Sequence, residues 1–277
     1  MTNLHIFLFL VSALVSVSLK AHESLNTISG FVNPESVVQD AKGDIYVTEI
    51  GEFNKDGDGK IIRISIDGKL STFASGMDDP KGIIFVGDFL YVTDKNRILK
   101  VESDGNWTVF GSTMAFPQTP IFLNDITSDG SGNLYVSDSG NLKSGGAIFK
   151  IAKDKKITIV LNEDTPEILA PNGLWIEKND LYEVDFSSGI LYKINLKTKS
   201  ISKVAESLGS ADGVVKSGNN FFVSDWKKGR IYKVQGSKVS IYKDGFNAAA
   251  DIALSYDKKS IITPDMKAGS VTLVPIN

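Results

Sequence analysis

The 277-residue chain contains no cysteine and only two histidines. The absence of cysteine excludes a disulfide framework, a thiolate metal site and a cysteine nucleophile. Both histidines, His5 and His22, lie at the extreme N-terminus. A Ser-His-Asp triad, a histidine zinc site and histidine acid–base catalysis are therefore effectively excluded from the rest of the chain. This exclusion is the most informative feature of the composition.

The chain also has no excess of basic charge and no helical periodicity. Lysine and arginine together number 30 against 33 acidic residues, which gives a net charge of −3, and the basic residues are scattered. Scattered basic residues argue against nucleic acid as a partner. Because apolar residues do not recur every three or four positions, a helical solenoid is excluded.

The longest apolar run lies near the N-terminus and is short. Residues 6–17 are too few to span a bilayer comfortably, and small and polar residues follow up to Ala21. This pattern predicts a signal peptide over residues 1–21 and export to the periplasm or the medium, with no stable membrane insertion after cleavage. The first five residues carry no Lys or Arg, which leaves an uncleaved membrane anchor as the alternative.

A short hydrophobic segment that ends in an acidic residue occurs six times, 40 to 47 residues apart. The six marker segments are residues 45–49, 90–94, 134–138, 181–185, 221–225 and 261–265. Each is followed by a second apolar segment, and turn residues separate the segments. A period of about 40 residues with several short strands is typical of propeller blades. We predict an all-β, six-bladed β-propeller with four-stranded blades.

The last predicted blade lacks its outer strand, because the chain ends at Asn277 directly after the third one. Residues 25–35 near the N-terminus align with residues 70–81, which form the outer strand and turn of the first blade. We therefore expect the N-terminal strand to complete the last blade, close the ring and remove an exposed edge. The predicted domain spans residues 22–277.

Each predicted blade begins with a short polar tag just before its innermost strand. The central residues of the six tags are Glu35, Lys81, Asn124, Asn172, Asp212 and Asp251. Since innermost strands surround the central channel, these side chains should converge at one mouth of it. A single Asn-Gly or Asp-Gly is more typical of a turn. Six polar tags at equivalent positions instead favour a site for a divalent cation such as Ca²⁺, Mg²⁺, Mn²⁺ or Zn²⁺.

Four of these tags resemble the metal signature of the gluconolactonase/regucalcin-like family of sugar lactone lactonases. They contain Glu35 after proline, Asn124 in LND, Asn172 in PNG and Asp212 in ADG. The resemblance covers essentially the whole mature chain. It implies a six-bladed propeller that hydrolyses lactones, and so acts on a small-molecule substrate, with a divalent ion. It further implies that Glu35, Asn172 and Asp212 bind the metal. Asn124 would contact the metal, its water or the substrate, and Asp212 would act as general base.

The implied chemistry is coherent for these residue types. A divalent ion polarises a lactone carbonyl and stabilises the developing oxyanion, and a neighbouring carboxylate accepts the proton of the attacking water. Lys81 on the same rim is expected to hold a substrate carboxylate or enolate; an ion pair with Glu35 or Asp251 is the alternative. Asp251 and Trp226 are also expected to contact the substrate.

One position departs from the family pattern. Members of the family often carry an arginine two residues before the asparagine of the third tag, where it grips sugar hydroxyls, and this chain has Phe122 there. Phe122 is therefore expected at the substrate site, and it points to a more apolar lactone or to lost activity.

Two kinds of loop are expected on the same face. The acidic residues that close the marker segments are expected on this face, either near the metal or as turn caps. The residues that follow three of them, Phe186, Trp226 and Met266, are expected to line an apolar pocket. The longest loop contains Asn54, Asp56 and Asp58, which match the start of a calcium-binding loop. The loop lacks the closing glutamate and is flanked by strands, so a plain acidic turn is the alternative.

Two functions are compatible with these features. The first is an exported, metal-dependent hydrolase of a lactone or related cyclic ester, with Asp212 as general base. The second is a non-catalytic propeller of the NHL-like type that binds a protein, a glycan or a small ligand. The Glu, Asn, Asn and Asp set at the channel mouth favours the hydrolase. An arylesterase-type enzyme would need a catalytic histidine, which the chain lacks.

Overall fold

The structure, a computed structural model, describes residues 26–277. The predicted signal peptide lies outside the described residues. Within them the chain forms 24 β-strands and one short 3₁₀ helix, Thr113–Ala115. No helix in this part of the chain is long and apolar enough to cross a membrane. The described residues are thus all-β, as the repeat pattern predicts.

The strands form six sheets of four, and five of these sheets are continuous in sequence. Blade 1 contains β2 (Pro34–Gln39), β3 (Ile45–Glu49), β4 (Gly59–Ile64) and β5 (Leu70–Met77). Blade 2 contains β6 (Pro80–Val86), β7 (Phe89–Asp94), β8 (Arg97–Val101) and β9 (Trp107–Gly111). Blade 3 contains β10 (Leu123–Ser128), β11 (Leu134–Asp138), β12 (Ala147–Ile151) and β13 (Ile157–Leu161).

The second half of the ring follows the same plan. Blade 4 contains β14 (Pro171–Glu177), β15 (Asp180–Asp185), β16 (Ile190–Asn195) and β17 (Ile201–Ala205). Blade 5 contains β18 (Ala211–Ser217), β19 (Asn220–Asp225), β20 (Arg230–Gln235) and β21 (Lys238–Asp244). Blade 6 contains β22 (Ala253–Leu254), β23 (Ser260–Asp265), β24 (Ser270–Pro275) and the N-terminal strand β1 (Asn26–Ser29).

Strand β1 closes the ring as predicted. It pairs antiparallel with β24, with Asn26 opposite Leu273 and Ser29 opposite Ser270. The first strands of consecutive blades contact one another all the way round, including β2 with β22 across the closure. These strands therefore enclose a central channel, and their N-terminal ends all lie at the same mouth.

The hydrophobic core lies between the blades. The marker strands β3, β11, β15 and β19 are buried on both faces, because each blade packs against the next. Between blades 4 and 5, for example, Val184 packs in one cluster with Val214 and Val223. Repeated burial of this kind fixes the six blades rigidly around the channel, so side chains on the innermost strands are held in place.

Candidate active site at the channel mouth

The polar tags lie in β-bulges of the innermost strands. In blade 1, Pro34 pairs with Glu49 and Val37 with Val47, so two residues of β2 oppose the single residue Thr48. The same shift occurs at the tags of blades 2, 3, 4 and 5. A bulge re-aims the side chain of the extra residue. The bulges turn the central residues of these tags toward the channel mouth.

A hydroxyl side chain supports the bulge in three blades. Thr48 Oγ1 accepts the backbone N–H of Ser36, Ser137 Oγ accepts that of Asp125, and Ser224 Oγ accepts that of Gly213. These Ser and Thr residues directly precede the acidic residue of their marker strand. Their recurrence in the marker segments is therefore explained by the need to satisfy a backbone donor that the bulge removes from the ladder.

The glycines of the tags are required by close packing around the channel. A Cβ on Gly173 would lie 2.4 Å from the backbone oxygen of Asp212, and one on Gly82 would lie 2.7 Å from that of Asn124. Both contacts are with the tag of the next blade. The Asn-Gly and Asp-Gly pairs are thus parts of bulged strands, not turns, and they place neighbouring tags against one another.

The bulged tags form the polar floor of a cavity of about 400 Å³ at the channel mouth. Its polar lining consists of Glu35, Asn54, Lys81, Asn124, Asn172 and Asp212. Its apolar lining consists of Ile50, Phe53, Phe122, Leu142, Phe186, Trp226 and Met266. The volume is within the range of about 300–1,000 Å³ that small-molecule sites occupy. The structure thus brings five of the six tag residues together in one cavity.

Of the two amide side chains, that of Asn124 is oriented by a hydrogen bond through its nitrogen atom. Asn124 Nδ2 donates to Ser139 Oγ at 3.1 Å, and this hydroxyl donates to the carbonyl of Pro171 at 2.8 Å. Burial raises the pKa of the Asp212 carboxyl, and the neighbouring Asn172 side chain lowers it in part. In both amides the buried side-chain oxygen has no hydrogen-bond partner. The buried Oε2 of Glu35 has none either.

The floor concentrates buried carboxylates. Burial raises the pKa of Glu35 and of Asp212 well above their ordinary values, and each is raised further by neighbouring acidic groups. The ammonium of Lys81 lowers the pKa of Glu35 in part. The protein alone therefore does not stabilise these carboxylates in their charged form, and a cation placed among them would do so.

The donor chemistry of the floor fits a hard divalent cation. Three buried oxygens without partners, from Glu35, Asn124 and Asn172, line the same cavity as the Asp212 carboxylate. Carboxylate and amide oxygens are the ligands that Ca²⁺, Mg²⁺ and Mn²⁺ prefer. In residues 26–277 no group of three or more His, Cys, Asp or Glu side chains is arranged for a metal. Any metal site here therefore depends on the two amides.

Lys81 lies at the cavity with its ammonium group against an aromatic ring. Its Nζ donates to the carbonyl of Asp79 at 3.1 Å and lies 4.3 Å from the centre of the Phe122 ring. Burial lowers the pKa of Lys81, and Glu35 raises it in part. Among the described residues its contacts are thus a carbonyl and a ring, rather than the alternative ion pair. An ammonium group has three donors, so it retains capacity for a ligand oxygen.

Asp251 does not line the cavity with the other tags. Its Oδ2 accepts a hydrogen bond from Ser36 Oγ at 2.5 Å, and burial raises its pKa to about 6. It interacts with Asp125, whose carboxylate also accepts the backbone N–H groups of Ile126 and Leu174. Asp125 was not predicted from the sequence as a site residue. The sequence does distinguish it, because the third residue of this tag is an acid, whereas the third residue of the other tags is Ser, Gly or Ile.

The acidic residues that close the marker strands cap loops. Asp138 accepts the backbone N–H groups of Ile121, Phe122 and Gly140. Equivalent bonds to the segment before the tag are made by Glu49, Asp94, Asp185, Asp225 and Asp265. The structure thus shows that these acids cap loops. By accepting hydrogen bonds from the segment before each tag, they fix the position of the tag.

The acidic loop of blade 1 is neutralised by lysines. Asp56 pairs with Lys95 at 2.6 Å and Asp58 with Lys55 at 3.5 Å. The backbone N–H of Asn54 donates to Asp79, and the Asn54 side chain lines the main cavity instead. The three residues therefore have separate partners, which favours the acidic turn over the calcium loop.

An apolar collar surrounds the polar floor. Phe186, Trp226 and Met266 line the cavity as expected, each directly after the acid of its marker strand. Ile50 occupies the equivalent position in blade 1. Ile50 was not predicted from the sequence, although its position in the repeat is equivalent to theirs. Phe53 and Leu142 were not predicted either, because loop conformation rather than the repeat brings them to the cavity.

Comparisons with known proteins identify the fold. No protein-family model matches the chain, and no curated protein matches it in sequence. Among solved structures, a gluconolactonase from Xanthomonas campestris superposes with a TM-score of 0.76 at 11% identity, covering 90% of this chain and 88% of that one. A candidate gluconolactonase gives a TM-score of 0.72 at 15% identity, covering 92% and 95%.

A third structure comes from a complex between proteins. A chain of the nidogen/laminin complex superposes with a TM-score of 0.64 at 22% identity, covering 76% of this chain and 80% of that one. At these identities the likeness shows the fold alone. The predicted resemblance to gluconolactonase-type propellers is confirmed at that level.

Proposed function

We propose that this protein is a divalent-metal-dependent hydrolase of a lactone or a related cyclic ester. The observation that carries the proposal is the set of three buried, unpartnered oxygens of Glu35, Asn124 and Asn172 around one cavity, beside the carboxylate of Asp212. Buried acceptors without donors are rare in proteins, and a cation satisfies all of them together. The fold shared with a gluconolactonase supports the same class of reaction.

Glu35, Asn124, Asn172 and Asp212 would hold the ion. When bound, Ca²⁺, Mg²⁺, Mn²⁺ or Zn²⁺ supplies positive charge that polarises a carbonyl group and favours a developing oxyanion. Asn124 reaches this position already oriented, because its side-chain nitrogen donates to Ser139. Little reorganisation is then needed on binding.

Asp212 is the proposed general base. Its carboxylate lies on the cavity floor, where it accepts a proton from water as the water oxygen bonds to the ring carbonyl carbon. The ring C–O bond then breaks, the ring oxygen takes up a proton, and the product is a hydroxy acid. Lys81 lies on the same floor, where its ammonium would bind an anionic oxygen of substrate or product.

Hydrolysis of a lactone panel tests this function. The mature protein is assayed by proton release with added Ca²⁺, Mg²⁺ or Mn²⁺, then after treatment with a chelator. We expect ring opening that chelation abolishes, and a loss of about 10²–10⁴-fold in the Asp212→Asn variant, the range typical of a lost general base. Activity that survives both treatments would contradict the proposal.

The second candidate is a binding propeller without catalysis. The likeness to a chain of the nidogen/laminin complex favours it, because it shows this fold within a protein–protein assembly. A binding propeller has no need for unpartnered oxygens at its channel mouth, and we therefore prefer the hydrolase. Export of the chain, expected from residues 1–21, is part of both proposals.

A further inference from the structure

The cavity is polar at its floor and apolar at its entrance. The floor residues come from the bulged tags, whereas the collar residues follow the marker strands. The backbone N–H of Phe186 bonds the carbonyl of Ala170, and that of Trp226 bonds the carbonyl of Ser210, in both cases just before the tag. The collar residues, which follow the second strand of their blade, are therefore held beside the tag on the first strand.

Two loops extend the apolar lining to the protein surface. Residues 50–58 of blade 1 and residues 139–146 of blade 3 form the longest connections between second and third strands. Each places an apolar side chain at the cavity with much of it in water: Phe53 is 46% exposed and Leu142 is 38% exposed. Exposed apolar side chains that continue into a cavity mark a binding surface.

We propose that the substrate is an amphiphilic lactone, with its ring on the polar floor and a hydrocarbon chain in the collar. This inference rests on the proposed function and specifies its substrate class. A polyhydroxylated sugar lactone would bury hydroxyl groups against Phe186, Trp226 and Met266 without hydrogen-bond partners, which disfavours binding. A hydrocarbon chain gains free energy on the same surface.

Phe122 contributes to this selectivity. Its ring is held against the ammonium of Lys81, and its backbone N–H is fixed by Asp138. The ring therefore occupies the side of the cavity next to the floor and offers no hydrogen bond to a ligand hydroxyl. An apolar substituent beside the reacting ring is accommodated there.

The test measures binding and turnover as separate quantities. Binding is followed by tryptophan fluorescence, because Trp226 lines the cavity. The probes are 2-alkylcyclopentanones, which carry a ring carbonyl but cannot be hydrolysed, with chains from methyl to octyl. Turnover is measured on γ-lactones of the same chain lengths and on gluconolactone.

We expect affinity to rise about three- to fourfold for each added methylene until the chain reaches the entrance. Gluconolactone should be a poorer substrate than the short alkyl lactones. In the double variant Phe53→Ser/Leu142→Ser, the gain should be lost for the longest chains only. Ile66→Ser is the matched control, because Ile66 is 78% exposed on a turn between β4 and β5 at the opposite face.

The outcomes separate this inference from the proposed function. An affinity independent of chain length, or a preference for gluconolactone, would overturn the amphiphilic substrate while leaving lactone hydrolysis intact. Chain-length-dependent binding of the cyclopentanones without turnover of any lactone would support the collar and contradict the hydrolase.

Discussion

At the scale of single residues, the candidate site is defined by atoms that lack partners. In a folded protein nearly every buried polar atom forms a hydrogen bond, because an unsatisfied one costs about 1–3 kcal/mol. Glu35, Asn124 and Asn172 each leave one buried oxygen unsatisfied, and all three line one cavity. A cost of this size at one place indicates a binding site rather than accidental packing.

The sequence predicted these residues but not their orientation. The tags are found by their spacing along six repeats. The bond from Asn124 joins the innermost strand to Ser139 in the loop after β11, and no periodic pattern marks the role of Ser139. The inward position of Asp251, beside Ser36 and Asp125, likewise depends on contacts across the channel. Repeats identify equivalent positions, whereas hydrogen bonds decide what each position does.

The buried carboxylate of Asp251 predicts a pH-dependent stability. Its pKa is about 6 in the folded protein, against about 4 in an unfolded chain, so the folded state holds its proton more tightly. This contribution favours the folded state most at low pH and is lost as the pH rises from about 4 through 6. The full change is about 3 kcal/mol.

Asp251→Asn tests this effect by removing the titration with little change in shape. Urea unfolding of cation-free wild type and variant is compared at pH 4 and pH 7. Relative to the wild type, the variant should gain about 2 kcal/mol of stability between the two pH values, because at pH 4 the unfolded chain is already partly ionised. A stability difference that does not vary with pH would contradict the account.

At the scale of elements, each blade repeats the same arrangement of hydrogen bonds, which the sequence reveals only in part. The marker strand ends in an acid that accepts backbone N–H groups from the segment before the tag, as Asp138 and Asp265 do. The marker segments were recognised by their apolar residues and terminal acid. The bulge at the tag was not predicted, because it depends on pairing between two strands and not on either sequence alone.

The marker strand of blade 4 differs from those of the other blades at Glu183. The equivalent position is Val in four other blades, and here both carboxylate oxygens are buried without a partner. Burial raises the pKa of Glu183 well above its ordinary value, and Asp185 raises it further. The side chain is fully buried within β15 between blades 3 and 4 and does not line the cavity.

Replacing Glu183 by valine is expected to stabilise the protein. The variant Glu183→Val removes an unsatisfied buried acid and should raise the free energy of unfolding by about 1–3 kcal/mol, more at pH 8 than at pH 5. Urea unfolding at both pH values measures it. The reverse change, Val136→Glu in blade 3, is the matched control and should destabilise. A loss of stability in Glu183→Val would show that the carboxyl has a partner or a role.

At the scale of the whole molecule, the ring is closed by a strand from the other end of the chain. Strand β1 pairs with β24, and Ile28 packs with the cluster that joins blades 6 and 1. This closure was predicted because the last repeat is one strand short and the N-terminal segment matches the missing strand. The prediction was confirmed because each sequence repeat corresponds to one blade, so that a strand missing from one repeat can be matched to a segment elsewhere in the chain.

Disrupting the closure should weaken the whole ring. Ile28→Asp places a charge in the cluster between the first and last blades, and we expect a loss of about 2–4 kcal/mol with the edge of β24 exposed. The exposed neighbour Asn26→Asp is the control and should change stability by less than about 0.5 kcal/mol. Thermal unfolding measures the stability of both variants, and light scattering measures aggregation through the exposed edge of β24. Equal stability of the two variants would contradict closure by β1.

We propose that the channel mouth of the propeller binds a divalent cation, and calorimetry measures this binding directly. The purified protein, freed of metal, is titrated with Ca²⁺, Mg²⁺ and Mn²⁺, beside the variants Asp212→Ala, Glu35→Ala and Asp56→Ala. We expect binding by the wild type and by Asp56→Ala, which changes only the lysine-paired loop, and no binding by the two central variants. Absence of binding in the wild type, or its loss in Asp56→Ala with retention in the central variants, would contradict the account.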